Sequence, residues 1–187
     1  RDTEDMMQRP RIYFNAFHMN CVVHQSPGLW VHPADQMHRY TDLDSWVELA
    51  KLLERGKFDG LFLADVLGVY DVYRNNREAA VTQATQIPAN DPMVPVSAMA
   101  YATKHLGFAF TSSVLQNHPF PFARQMSTLD HLTKGRIGWN IVTSYLESGA
   151  RNVGQAGLPP HDERYDIADE YVDVCYQLWE SSWEDGA

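Results

Sequence analysis

The sequence predicts an α/β fold and, within that class, the first (βα)4 half of a (β/α)8 barrel. Four apolar runs of strand length alternate with four helical stretches along the 187 residues. This alternation is typical of a parallel sheet covered by helices. Long loops follow the first, second and fourth runs, and polar side chains follow all four runs, as they do at the active face of a barrel.

The predicted elements follow from the spacing of apolar residues. Short apolar runs predict strands, and apolar residues that recur every three to four positions predict helices. The stretches 71–90 and 147–160 are polar or rich in Gly and Pro, so they are predicted to be loops. In chain order the predicted strands are 12–17, 60–64, 108–110 and 136–142, and the predicted helices are 43–55, 90–103, 120–132 and 164–179.

Capping residues set two of the helix boundaries. For the first helix, Thr41 or Asp42 supplies the N-cap, and Gly56 fits the position just beyond the last turn. The second helix is predicted to begin at residues 90–92, because an aspartate there is a good cap and the proline is accepted in a first turn.

The loop after the first strand favours a barrel over a nucleotide-binding open sheet. A dinucleotide-binding domain needs a tight GxGxxG turn that brings the pyrophosphate to a helix N-terminus. The sequence has no such turn, and residues 18–40 separate the first predicted strand from the first predicted helix. Long loops at this end of the strands are how a barrel builds a pocket.

Polar side chains cluster where the predicted strands end. They are Cys21 and His24 after the first strand, Asp65 after the second, residues 111–113 after the third, and residues 140–144 around the end of the fourth. Any one of these clusters is compatible with a plain strand boundary. Four clusters together, with an aspartate directly after GLFLA, favour a shared site at one end of the sheet.

The expected domain organisation is a short lead-in followed by half of one barrel. Residues 1–10 are polar and mixed in charge, and we expect them to be disordered; residues 11–187 are expected to form the N-terminal half of a single barrel domain. Half a barrel leaves two apolar strand edges unpaired, which is an aggregation hazard. We therefore expect a truncated form or a piece of a longer enzyme.

The composition argues against several classes of function. A net charge of −9 disfavours nucleic acid and anionic membranes as partners, because both attract clustered Lys and Arg. No apolar run approaches the roughly 18 residues that span a bilayer. Cys21 and Cys175 form no CxxC pair and the eight histidines show no HExxH spacing, so neither disulfides nor a metal site are expected. Reduced thiols favour a cytoplasmic protein.

Four strings in the sequence are specific enough to indicate a family. They are FNAFHMNCVVH, HRYTDLDSWVELAKLLERGKFDGLFLADVLGVYDVYR, MSTLDHLTKGRIGWNIVTS and HDERYDIADEY. Together they resemble the bacterial-luciferase-like flavin monooxygenases. Within that family they resemble the branch of the nitrilotriacetate, dibenzothiophene-sulfone and long-chain alkane monooxygenases, and most of all the last of these. The resemblance covers residues 11–187, which is about the first half of the family's usual length.

The resemblance implies a fold, a cofactor and a reaction. Members of this family are TIM barrels that bind reduced flavin mononucleotide (FMNH2) without a covalent bond, and a separate flavin reductase supplies that flavin. Oxygen (O2) is the co-substrate, and it forms a C4a-peroxyflavin that attacks the substrate. The cofactor carries the difficult chemistry, while the protein supplies position and a cavity poor in water. A homodimer or higher homo-oligomer is also expected.

The resemblance assigns flavin contacts to six positions. Asp65 matches an aspartate whose carboxylate can accept a hydrogen bond from a flavin ring N–H, although a loop cap is the structural alternative. Asn140 can be a flavin ligand or a satisfied core amide. His161 and Tyr165 lie at the start of the fourth helix, where free backbone N–H groups attract phosphate. The structural alternative is a segment that only caps this helix. The six are Asp65, Thr111, Asn140, Thr143, His161 and Tyr165.

Four more residues match positions of the substrate pocket and are the catalytic candidates: Cys21, His24, Tyr70 and Tyr145. His24 can donate a hydrogen bond to the peroxide or act as an acid or base. Cys21 can equally be a small apolar filler. Gln86 also matches a pocket position. Tyr145 departs from the pattern, because the alkane enzymes have histidine there, which questions the alkane substrate more than the flavin chemistry.

Two functions from different classes remain open. The first is a two-component FMNH2-dependent monooxygenase that inserts one oxygen atom from O2 into an apolar compound, either a long-chain alkane or an organosulfur compound. The pocket positions are mostly apolar, aromatic or neutral, which disfavours polycarboxylate substrates. The second is a non-catalytic or truncated flavin-binding homologue that acts as a structural or assembly partner. A deazaflavin-dependent oxidoreductase on the same barrel is a third, weaker reading.

Overall fold

One parallel sheet forms the centre of this protein in the computed structural model, which describes residues 11–22, 26 and 28–186. Its strands are β1 (Asn15–Met19), β2 (Gly60–Ala64), β3 (Gly107–Ser113) and β4 (Ile137–Val142). They lie in the order β1-β2-β3-β4, and every pair is parallel. Neighbours in space are neighbours in sequence without a reversal, which is the order of a barrel and not of a doubly wound sheet. The predicted α/β class is confirmed.

Helices connect the strands and cover one face of the sheet. A single apolar cluster joins residues of α1, α3, α4 and α6 to the buried faces of β2 and β3. Within the described residues no helix is long and apolar enough to cross a bilayer. The α-helices of this part of the chain are α1 (Leu43–Arg55), α2 (Glu78–Thr82), α3 (Val96–Tyr101), α4 (Pro119–Thr133), α5 (Glu147–Asn152) and α6 (His161–Glu180).

Strand alternation separates the two faces of the sheet. Leu63 and Phe110 point towards the helices and are about 0–1% exposed. Phe17 and Phe62 belong to the opposite face, where their rings stack with centroids 5.0 Å apart. Thr111 also belongs to this opposite face, since it lies one position beyond the helix-facing Phe110. The residues at the ends of this face can therefore line a site away from the helix layer.

Two strands, β1 and β3, differ from their predicted bounds by more than one residue. The strand predicted at 12–17 is β1, which begins at Asn15, and the preceding residues Ile12 and Tyr13 are 72% and 65% exposed. Apolar character there did not mean burial. The strand predicted at 108–110 extends through Ser113, because the ladder with β4 continues to the pair formed by Ser113 and Val142. The polar residues 111–113 therefore belong to the strand.

The second predicted helix is shorter than expected. α3 begins at Val96, and Asp91 instead forms a turn in which its Oδ1 accepts a hydrogen bond from the N–H of Met93 at 2.7 Å. Proline disfavours helical backbone in the residue before it. Because Pro92 and Pro95 both stand in this segment, the helix begins only after the second of them.

The two predicted loops contain short helices. The stretch 71–90 holds a 3-10 turn and α2, and the stretch 147–160 holds α5. α6 begins three residues earlier than predicted, at His161. After α1, whose N-cap is Asp42, Gly56 keeps a helical backbone, and Lys57 takes the left-handed conformation with φ 63°.

Candidate functional site

A cavity of about 100 Å³ lies at the carboxyl ends of β2, β3 and β4, the end at which barrels place their active sites. Asp65, Thr111 and Tyr145 all line it. A second cavity of about 230 Å³ adjoins the first, because both share Asp65 and Gln116. Loops that are far apart in sequence therefore converge on one carboxyl group.

Asp65 follows β2 directly, and its side chain is mostly buried. Its Oδ1 accepts a hydrogen bond from the N–H of Val66 at 2.9 Å. Burial raises the pKa of the Asp65 carboxyl to about 6; the Val66 N–H lowers this pKa, and the negative charge of Asp91 raises it further. A carboxyl with such a pKa can hold a proton or accept a hydrogen bond near neutral pH.

Thr111 and Asn140 face each other on neighbouring strands. They are paired in the register of β3 and β4, and the Asn140 amide donates a hydrogen bond to Thr111 Oγ1 at 3.0 Å. Thr111 lines the first cavity, whereas Asn140 lines neither cavity. The amide therefore orients the hydroxyl that reaches the cavity.

A pair of tyrosines lies at one side of the site. The hydroxyl oxygens of Tyr70 and Tyr145 are 2.5 Å apart. Partial burial of its hydroxyl, followed by the hydrogen bond to Tyr70, raises the pKa of Tyr145, while 61% of the whole residue is exposed. Tyr145 lines the first cavity, and Tyr70 lines an open hollow of about 800 Å³ together with Tyr73 and Arg74. The pair thus stands between an inner cavity and an outer hollow.

Several other predicted residues lie away from the two cavities. Cys21 follows β1 and is fully buried, but it lines neither cavity. His161 and Tyr165 lie on the first turns of α6 with their rings 5.2 Å apart, and both are exposed. Thr143 contributes a backbone carbonyl that accepts from Arg164 at 3.5 Å. His24 lies outside the described residues.

Sequence reasoning named Ser113 and Ser144 among the polar residues at the strand ends, but it did not predict their contact or the presence of Gln116 in the lining. Ser144 has a left-handed backbone with φ 62°, and its hydroxyl lies 2.6 Å from that of Ser113. Both serines line the first cavity, together with Gln116. A serine in the sequence gives no sign that its backbone is left-handed. The position of Ser144 just after an apolar strand did mark this segment as part of a candidate site. No three His, Cys, Asp or Glu side chains among the described residues come together as a metal site requires.

The loops after β2 and β4 are held together by α5. Ser148 Oγ accepts a hydrogen bond from the N–H of Val69 at 3.0 Å and lies 3.1 Å from the Val69 carbonyl oxygen, to which it donates. Asn152 donates to the carbonyl of Leu67 at 2.7 Å. Gly68 lies in this contact, and a Cβ there would come within 2.6 Å of Ser148 Oγ and 2.9 Å of the Gly149 nitrogen. The walls of the cavity thus depend on a close approach that only glycine permits.

Gly68→Ala is expected to separate these loops and to destabilise the protein by about 1–3 kcal/mol, the usual cost of overpacking. Urea denaturation measures the change in the free energy of unfolding. The matched control is Gly56→Ala, where a Cβ would meet its nearest atoms at an ordinary 3.4 Å. Equal stabilities for the two variants would contradict the role of this contact.

Comparison with known proteins identifies the family of this chain. The model of the family described as luciferase-like monooxygenase matches residues 18–186. The chain belongs to this family. The match confirms the resemblance seen in the sequence strings, including the branch that holds the nitrilotriacetate, dibenzothiophene-sulfone and long-chain alkane monooxygenases.

Individual relatives of the luciferase-like monooxygenase family are similar over nearly the whole chain. The long-chain alkane monooxygenase of Geobacillus thermodenitrificans is 64% identical over 95% of this chain and 40% of its own length. The dimethyl-sulfide monooxygenase of Hyphomicrobium sulfonivorans is 55% identical over 96% of this chain and 37% of its own length. A crystal structure of a long-chain alkane monooxygenase superposes with a TM-score of 0.93 at 63% identity, over 96% of this chain and 41% of that chain.

The coverage of these matches indicates how much of a barrel the chain contains. The chain spans about 40% of the length of the curated relatives that it matches. Its four-stranded parallel sheet is accordingly the first (βα)4 half of a TIM barrel, as the sequence predicted.

Proposed function

We propose that residues 11–187 form the N-terminal half of a barrel domain in a two-component monooxygenase that uses FMNH2 and O2. The observation that carries this proposal is the mostly buried carboxyl of Asp65, which faces a cavity shared with Thr111 and Tyr145 at the carboxyl ends of the strands. In a barrel this end of the sheet holds the ligand. The family membership of the chain supports the choice of a flavin as that ligand.

The lining of the cavity fits a flavin ring, which has apolar faces and a polar edge. Val66, Leu146 and Val142 supply apolar walls, while Asp65 and Thr111 supply polar atoms. Asp65 would accept a hydrogen bond from a ring N–H. Thr111, oriented by Asn140, would meet the same edge of the ring, and Thr143 would contribute at the end of β4.

The start of α6 would hold the phosphate and ribityl part of the flavin. α6 has 20 residues and no side-chain cap, so the N–H groups of its first turn have no capping partner. His161 and Tyr165 stand on these turns and are exposed to a ligand. Asp162 Oδ1 lies 2.8 Å from His161 Nδ1.

Bound reduced flavin would supply the two electrons that activate O2, so that one oxygen atom enters the substrate and the other leaves as water. The residues of this chain would hold the flavin and shield it from water. Tyr70 and Tyr145 would separate the inner cavity from the open hollow and limit the entry of water. Cys21, which is fully buried and lines neither cavity, would act as a small apolar filler. The family resemblance alone assigns His24 to the substrate side of the pocket.

The substrate is proposed to be an apolar compound, either a long-chain alkane or an organosulfur compound. The two inner cavities have no Lys or Arg in their lining, so they offer no counter-charge to a polycarboxylate. Relatives named for a long-chain alkane and for dimethyl sulfide support the same class. A flavin reductase would supply FMNH2 through transient contact, and a cytoplasmic homo-oligomer is proposed.

Titration of the full polypeptide with FMNH2 under anaerobic conditions tests the proposal. Saturable binding is expected, and admission of air in the presence of a flavin reductase should convert dimethyl sulfide or a long-chain alkane into its oxygenated product. Omission of the reductase is the control, and it should stop turnover. Flavin binding without product from any apolar substrate would favour the non-catalytic homologue. Preference for a deazaflavin would favour the third reading.

A further inference from the structure

Arg164 is a buried cation that pairs with no acidic side chain in the described part of the chain. It stands in the first turn of α6 and is only 9% exposed. None of the ion pairs among the described residues involves Arg164, and its Nε is buried without a hydrogen-bond partner. Burying an arginine in this way is costly. A charged residue in the first turn of a helix is expected to be exposed, so the burial of Arg164 requires a structural reason.

The contacts of Arg164 lead to the end of β4. Its Nη1 donates hydrogen bonds to the backbone carbonyl of Ser144 and, at 3.5 Å, to that of Thr143. Ser144 has the left-handed backbone that residues other than glycine adopt at a cost. The guanidinium therefore binds the backbone of a turn that serine alone does not favour.

The turn at Ser144 determines what the cavity presents. Ser144 lines the cavity, and its hydroxyl contacts that of Ser113 on β3 at 2.6 Å. Tyr145 follows directly, lines the same cavity and meets Tyr70 at 2.5 Å. A different backbone conformation at Ser144 would move both side chains away from these partners.

We propose that Arg164 is a positioning residue, which fixes the turn at Ser144 so that Ser144 and Tyr145 face the ligand cavity. Through this contact it also joins the start of α6 to the carboxyl end of β4. The inference rests on the proposed function only for the identity of the ligand, a flavin.

Arg164 acts on the turn and not as an anion ligand. Both of its hydrogen bonds go to backbone carbonyls. This difference can be measured, because riboflavin has the ring of FMN and lacks the phosphate.

The test measures the dissociation constants of reduced FMN and reduced riboflavin for the full polypeptide and its Arg164→Ala variant. The expected result is a loss of about tenfold or more for both ligands, since a charged hydrogen bond of this kind is worth at least a factor of ten. Arg151→Ala is the matched control, because Arg151 is exposed and forms only a 3.8 Å contact with Glu147. This control should change neither constant.

A double-mutant cycle distinguishes positioning from general support of the fold. Glycine adopts left-handed backbone without penalty, so the Arg164→Ala loss should shrink to about threefold or less in the Ser144→Gly background. An unchanged loss in that background, or a loss confined to FMN, would overturn the inference. If Arg164→Ala does not fold, Arg164→Lys replaces it, with a smaller loss expected for both ligands. If the unaltered protein binds neither flavin, the proposed function fails instead.

Discussion

The affinity of this protein for flavin is expected to fall about tenfold between pH 7 and pH 5. The carboxyl of Asp65 has a pKa of about 6, raised mainly by burial, and its ionised form accepts a hydrogen bond from a flavin ring N–H more strongly than the neutral acid does. Below that pKa, each pH unit lowers the ionised fraction of the carboxyl about tenfold. Equilibrium titration with FMN at constant ionic strength measures the effect.

Asp65→Asn should remove this pH dependence. At pH 7 both Asp65→Asn and Asp65→Ala should weaken flavin binding by about 10- to 100-fold, the range for loss of a hydrogen bond to a charged group. Asp130→Asn is the control, since Asp130 is exposed on α4. An unmodified protein whose affinity stays constant from pH 5 to pH 7 would contradict the assigned role.

The same carboxyl links pH to stability with the opposite trend. The pKa of Asp65 rises from 3.8 to about 6 on folding, so the folded chain binds this proton more tightly than the unfolded chain does. Its contribution to stability is present below pH 4 and is lost as the pH rises towards 6. A change of about 2–3 kcal/mol follows from 1.36 kcal/mol per pKa unit. In urea denaturation, the stability of Asp65→Asn should lack this component.

Arg136→Met is expected to lower the free energy of unfolding by about 3–4 kcal/mol. The guanidinium of Arg136 lies at the opposite end of the sheet from Asp65, where it ties together the ends of α3 and α4 and the start of β3. It also lies over the ring of Phe108, 5.8 Å from the centroid. It donates to the carbonyls of Thr133 at 2.8 Å, Leu106 at 2.8 Å, Ala100 at 2.9 Å and Thr103 at 3.4 Å, and to Thr103 Oγ1 at 3.1 Å.

Methionine keeps much of the volume of the Arg136 side chain but donates no hydrogen bond. The carbonyls that Arg136 satisfies would be left unpaired in a partly buried place, and each such group costs about 1–3 kcal/mol. Urea denaturation measures the loss. Arg124→Met on the exposed face of α4 is the control, with an expected change within about 0.5 kcal/mol. A similar small change for Arg136→Met would show that water replaces its contacts.

The helices and strands that were predicted most accurately are those specified by residues close to one another in the sequence. α1 and β2 have the predicted boundaries, since a cap at Asp42 and a bounded apolar run are both readable along the chain. α2 and α5 were missed because short helices are unstable alone. α5 depends on hydrogen bonds from Ser148 and Asn152 to a segment about 80 residues earlier, and no periodicity reports such a contact.

The candidate site could be predicted in part. Polar residues at strand ends placed Asp65 and Thr111 at one edge of the sheet, and the structure puts both in one cavity, although their roles stay predictions. Arg164 could not be found this way. In HDERYD it has the place of an ordinary exposed charge, and its reach to a carbonyl 20 residues earlier depends on how α6 packs.

Arg136 and Arg164 both donate hydrogen bonds to backbone carbonyls, and they lie at opposite ends of the sheet. Arg136 serves the end where the chain enters the sheet, and Asp65 and Tyr145 occupy the end where it leaves. The contacts that Arg136 makes therefore involve residues other than those that line the cavity. Substitutions of the two tyrosines would thus leave the hydrogen bonds of Arg136 intact.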